Sequence, residues 1–216
     1  VSQKNDIEGI EHFDVKDEKN MVLIGFIGFL DPPKESAKES IEKLNKAGIR
    51  VIVLTGDNAE VTRCVCDKVG INSKNIVLGS KLDKLSDTAV LRLLKRTNIF
   101  AKLSPIQKAR IVRLLKEAGN IVGYMGDGIN DSPSLTNSDV GVSVDTAVDI
   151  AKESADIILL EKDLNVLLDG VTEGRRTFVN LMKYIKLATS FNFGEVVSVI
   201  IASVLLPFLP ETPIQL

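Results

Sequence analysis

The chain of 216 residues has one histidine, His12, and two cysteines, Cys64 and Cys66. A lone histidine in a polar N-terminal stretch gives a zinc site or a serine–histidine–aspartate triad little to build on. The cysteines stand two apart in a stretch that reads as helix, where they face different ways and cannot jointly grip a metal. They are expected to be ordinary thiols in a reducing compartment. A basic excess is missing too: 27 Lys and Arg against 29 Asp and Glu leave a net charge of −2, and no basic cluster interleaved with aromatics occurs. Nucleic acid is therefore excluded as an expected partner. The N-terminus "VSQKNDIEGIEHFDVKDEKN" has neither the basic start nor the apolar stretch of a signal peptide, and no initiator Met.

A composition of 44% hydrophobic and 26% charged residues is that of a globular protein with a real core. Short apolar runs rich in β-branched residues occupy 21–29, 49–54, 98–101, 120–125, 139–144 and 155–160, as buried parallel strands do. Helical patterns separate them. "KESAKESIEKLNKAG" stops at Gly48, and "SPIQKARIVRLLKEAG" starts with Ser104 as N-cap and Pro105 at the first helical position. The alternation predicts a three-layer, Rossmann-like α/β domain with a parallel sheet.

The C-terminal part differs. From Leu187 to Leu209 the only ionisable residue is Glu195, and Arg175, Arg176, Lys183 and Lys186 stand just before the run. That is the length of a transmembrane helix with a basic flank on its cytoplasmic side, so residues 1–186 are expected in the cytoplasm and 187–209 in the cell membrane. A buried core helix is the alternative, and core helices seldom stay apolar on every face for so long. With no second span following, the sequence reads as a piece of a longer chain.

Loops at the carboxyl ends of parallel strands gather along one edge, where ligands bind. "TGDN" (55–58) and "GDGIND" (126–131) fall there, and Lys108 lies in the first turn of the helix after a third strand. Two converging carboxylates, Asp127 and Asp131, persist together only with a shared cation or with one of them neutralised. Magnesium suits them, because it needs only one or two carboxylates and fills its other positions with water and phosphate. Thr55 and Gly56 could offer a hydroxyl and a backbone N–H to phosphate oxygens, and Lys108 a point charge. Each signal alone reads more simply, as a turn with a helix cap or a solvated lysine.

"TGDN", "SPIQK" and "GDGINDSPSL", in this order and preceded by "GFLDPPKES", resemble the second half of the phosphorylation domain of P-type cation-transporting ATPases, in the haloacid dehalogenase superfamily. The resemblance runs from about Met21 to the C-terminus. It implies magnesium as cofactor and ATP as substrate of the intact pump. It gives Asp127 to the metal, with Asp131 as a second metal residue that supports the site, and Asn130 supporting the site on the cofactor side. Thr55, Gly56 and Asp57 fall around the phosphoryl group and the nucleotide, and Lys108 becomes the charge stabiliser. The implied partners are the remainder of the same pump, the lipid bilayer and a divalent cation.

The family's phosphoryl acceptor is the aspartate of a "DKTGT" motif, which does not occur in this sequence. Residues 1–20 are then expected to be the tail of a preceding nucleotide-binding region, 21–162 the second half of the phosphorylation domain, 163–186 a helical stalk and 187–209 the membrane helix. The stretch from "ADIILLEKD" through "LPFLP" is similar to magnesium-importing bacterial pumps, whereas "SFNFGEVV" also resembles calcium pumps, whose matching Asn and Glu bind calcium. Magnesium is favoured, with Asn192 and Glu195 as candidate ligands of the transported ion. A calcium pump, a soluble haloacid dehalogenase-type phosphatase and a non-catalytic truncated product stay open.

Overall fold

The structure, a computed structural model, describes residues 2–3, 19, 21–27 and 32–207. His12 and residues 208–209 of the expected membrane span lie outside these. The chain divides into two units, 1–33 and 34–216. In the first, β1 (Ser2–Gln3) pairs antiparallel with β2 (Val22–Leu23).

The second unit begins with α1 (Ser36–Lys46) and continues with β3 (Val53–Leu54), α2 (Ala59–Lys68), β4 (Ile76–Leu78), α3 (Gly79–Leu82), α4 (Asp87–Leu94), β5 (Ile99–Ala101) and α5 (Pro105–Glu117). It then runs through β6 (Gly123–Met125), a 3-10 turn (Ile129–Asp131), α6 (Ser132–Asn137), β7 (Val140–Val144), α7 (Asp149–Glu153), β8 (Ile157–Leu159) and α8 (Leu164–Leu205). All strand pairs in this unit are parallel, as expected where helices follow strands.

Two expectations are corrected. The run expected as a parallel strand at 21–29 is described over 21–27, where Val22–Leu23 pair antiparallel with Ser2–Gln3 in the first unit. Buried parallel strands are covered on both faces, whereas Phe26 and Ile27 are 88% and 65% exposed. The parallel strands form two three-stranded sheets rather than one, in the orders β3-β5-β4 and β6-β7-β8. The edge strands β3 and β6 share no ladder. A further strand, β4, lies outside the six apolar runs.

Two cores follow from the two sheets. Val77, Phe100, Leu103, Ile111 and Leu114 pack in one, and Val112, Tyr124, Leu135, Val142 and Val144 in the other. Helix α5 thus serves both, with Ile111 and Leu114 on the first side and Val112 on the second, while Leu54 of β3 touches both clusters. This shared helix carries Lys108. Its start is fixed by a capping box, in which the Ser104 hydroxyl accepts from Gln107 N–H and the Gln107 side chain accepts from Ser104 N–H. Such a cap contributes about 1 kcal/mol.

Helix α8 is one continuous helix of 42 residues, about 63 Å long at the α-helical rise. The expected stalk and membrane segment are therefore one element with no break at 186. Its first turns lie along α1: Ser36 Oγ donates to the Asp163 carboxylate at 3.3 Å, and Arg175 donates to Ala47 O at 2.7 Å. Its apolar window has a mean hydropathy of 1.6, and none of that window is buried.

Candidate functional site

At the end of β3, Thr55 Oγ1 donates to Asp57 Oδ2 at 2.9 Å and accepts from Asp57 N–H at 3.1 Å. Asn58 then caps α2 by accepting from Val61 N–H. The loop is tied to the end of β5, where Leu103 N–H donates to Thr55 O and Lys102 N–H to Asp57 O. Lys102 has a φ of +53°, a left-handed conformation uncommon for a residue with a side chain. Gly56 and Asp57 are exposed.

At the end of β6 the backbone doubles back tightly. A Cβ on Gly126 would lie 2.5 Å from the Asp131 Cβ, so only glycine lets Asp131 fold over the strand end. Gly128 O accepts from Asp131 N–H at 3.0 Å, which closes the 3-10 turn. Asp131 is enclosed by donors: Lys108 Nζ at 2.8 Å and Tyr124 Oη at 2.7 Å on Oδ1, and Gly128 N–H at 3.4 Å on Oδ2. The Lys108 and Asp131 side chains are only 12% and 14% exposed. Burial would raise the Asp131 carboxyl, but Lys108, Tyr124 and Gly128 N–H outweigh it and hold the group below the usual carboxylate range. The Tyr124 phenol is pushed up, first by burial and then by the carboxylate it donates to.

Asp127 is different. Its side chain is half exposed, and its ionic partner among the described residues is Lys162, at 2.7 Å on Oδ2. Met125, Gly126, Asp127, Val144 and Lys162 line a cavity of about 200 Å³.

The structure thus joins Lys108 to Asp131 and places Asp127 one turn earlier on the same strand end. Among the described residues, no hydrogen bond or ion pair links Thr55, Gly56 or Asp57 to that group. Asn130 is exposed. Asn192 and Glu195 lie three apart on α8, far along the chain from either loop. The converging carboxylates expected from the sequence are each matched by a lysine of their own. Tyr124 and Lys162 were missed: a tyrosine inside an apolar strand reads as core, and Lys162 belongs to no motif. The spacing of "GDGIND" could have pointed to Tyr124, two residues before Gly126 on a strand whose end carries the site.

The residues fit magnesium in their donor chemistry. Among the described residues no cluster of three or more His, Cys, Asp and Glu side chains occurs. A single accessible carboxylate with room for water and phosphate beside it is what magnesium takes. The Lys162 ammonium already stands as a cation on Asp127.

The chain belongs to the haloacid dehalogenase-like hydrolases, whose family model matches residues 2–139. Within that class it is similar to the magnesium-transporting ATPase, P-type 1, of Escherichia coli (strain K12), with 54% identity over 200 residues, covering 93% of this chain and 22% of that protein. It is also 38% identical over 202 residues to calcium-transporting ATPase 1 of Bacillus cereus, covering 92% of this chain and 23% of that protein. The crystal structure of a zinc-transporting PIB-type ATPase in its E2.Pi state shares the fold, with a TM-score of 0.64 at 24% identity over 80% of this chain and 24% of that one. The chain spans about a fifth of the length of these curated relatives.

Proposed function

We propose that this chain supplies the magnesium, phosphate and lysine half of the phosphorylation site in an ATP-driven P-type pump for a divalent cation, magnesium in preference to calcium. The observation that carries the reading is the Lys108–Asp131 pair held beside the accessible Asp127 carboxylate. Asp127 holds the magnesium ion, and Asp131 backs it while fixing Lys108. When bound, magnesium neutralises charge on the phosphate oxygens and orients them.

The remaining roles belong to the chain's own groups. Lys108, anchored at its Nζ, offers a fixed positive charge to the transferred phosphoryl oxygens. Thr55 and the Gly56 N–H bind further phosphate oxygens, with Asp57 and Asn130 toward the nucleotide. The nucleophilic carboxylate comes from a "DKTGT" segment elsewhere in the longer protein, since this chain has none. Helix α8 spans the cell membrane over its apolar part, with the domain on the cytoplasmic side, among the pump's other segments. Phe191, Phe193 and Val204, each more than 70% exposed, then face lipid or neighbouring helices.

The preference for magnesium rests on the greater likeness to the magnesium-transporting relative. A calcium pump is the second reading, favoured by Asn192 and Glu195 at adjacent positions along one helix face. Acid-stable labelling of the longer protein by γ-labelled ATP tests the proposal. Magnesium-dependent labelling that Lys108→Ala suppresses supports it, and its absence in the unaltered protein would refute it.

A further inference from the structure

We propose that Lys162 is a resident counter-cation of the metal site: its ammonium occupies Asp127 and must be displaced when magnesium binds, so that Lys162 sets a ceiling on metal affinity. The inference rests on the reading of Asp127 as the magnesium ligand.

Three observations carry it. Lys162 Nζ lies 2.7 Å from Asp127 Oδ2, across 35 positions of sequence. Both side chains also line the same cavity of about 200 Å³, so a cation entering it meets the ammonium at the carboxylate. The contact is reversible by construction. Each side chain is just over half exposed, so the released ammonium passes into water at little cost.

The backbone under Lys162 is held independently of its side chain. Lys34 Nζ donates to Lys162 O, and the next residue, Asp163, caps α8 by accepting from Asn165 N–H at 2.8 Å while taking the Ser36 hydroxyl. The lysine can therefore let go of Asp127 without unseating the helix. The division of labour between the two lysines follows. Lys108, nearly buried and sharing Asp131 with Tyr124, stays in place. Lys162, exposed and with a single partner for its ammonium among the described residues, yields. Competition and charge repulsion act in the same direction, both weakening the magnesium complex.

Magnesium titration calorimetry on the full 216-residue chain tests this with four proteins: unaltered, Lys162→Ala, Lys162→Arg and Asp127→Asn. Lys162→Ala is expected to bind magnesium about three- to tenfold more tightly at low salt, with the gain shrinking at high ionic strength. Lys162→Arg keeps the charge and is expected to stay within about twofold of the unaltered chain. Asp127→Asn separates the two claims. If it binds magnesium as well as the unaltered chain does, the metal assignment itself fails. If it loses binding while Lys162→Ala is unchanged or weaker, the assignment stands and the counter-cation proposal is overturned.

Discussion

Lys108 and Asp131 are 23 positions apart, on different secondary-structure elements, and their side chains meet at 2.8 Å with each almost closed off from water. Helix α5, which packs into both cores, brings the lysine to the carboxylate. Lys108→Ala would leave Asp131 charged in a largely enclosed place, with Tyr124 and one long N–H contact as its remaining donors. The loss of stability is expected at about 1–3 kcal/mol, read as a lowered urea midpoint. In the pump proposed above the same change is expected to slow phosphoryl transfer more than it weakens nucleotide binding. Equal losses would restrict Lys108 to holding nucleotide.

The acid behaviour of Asp131 has a definite sign. Its carboxyl lies lower in the folded chain than in the unfolded one, so the native state binds fewer protons. The stabilisation is fully present above the unfolded value, about 3.9, and disappears as the pH falls through the lower folded value. Asp131→Asn is expected to be less stable than the unaltered chain at pH 7 and to approach it on acidification below about pH 4. A constant gap between the two thermal melting curves from pH 7 to pH 2.5 would contradict this.

Gly126→Ala places a methyl 2.5 Å from the Asp131 Cβ. Neither the strand end nor the 3-10 turn gives without moving the carboxylate, so a loss of about 1–3 kcal/mol is expected. The Lys108–Asp131 contact should loosen with it. Chemical-shift changes in the Asp131 and Tyr124 side chains would show the coupling, and a variant with unaltered shifts and stability would show that the turn has slack.

The local grammar of the sequence was readable where one residue type does one job. Ser104 and Pro105 announced α5, Gly48 ended α1, and Asp127 and Asp131 flagged the strand end. What failed was whatever depends on neighbours. The run 21–29 looks as apolar as a core strand, yet its Val22–Leu23 pair with Ser2–Gln3, antiparallel. The split into two sheets could not be seen either, because register and edge position are settled between strands and not within them. At the site, the lysines that neutralise the two aspartates come from 23 positions before Asp131 and 35 positions after Asp127. Lys108 stood in a motif and was found, whereas Lys162 stood in none.

Glu195 and Asn192 share a face of α8, and in the membrane span proposed for that helix an acid is costly unless it binds something. In the longer protein, Glu195→Gln is expected to lower the apparent affinity for the transported ion several-fold and leave phosphorylation by inorganic phosphate intact. Magnesium- and calcium-stimulated ATP hydrolysis measured side by side will tell the ions apart. Stimulation by calcium alone, lost in the variant, would reverse the preference for magnesium, and an unaltered ion dependence would remove Glu195 from the site.

The central claim, that the end of β6 is a magnesium site centred on Asp127, is tested most directly by magnesium-induced thermal stabilisation of the 216-residue chain and its Asp127→Asn variant. Saturating magnesium is expected to raise the melting temperature of the unaltered chain by a few degrees, as any ligand bound only by the native state does. The variant should not respond, although it keeps its fold and its Lys108–Asp131 pair. An equal rise in both proteins would contradict the account, because the ion would then be bound elsewhere.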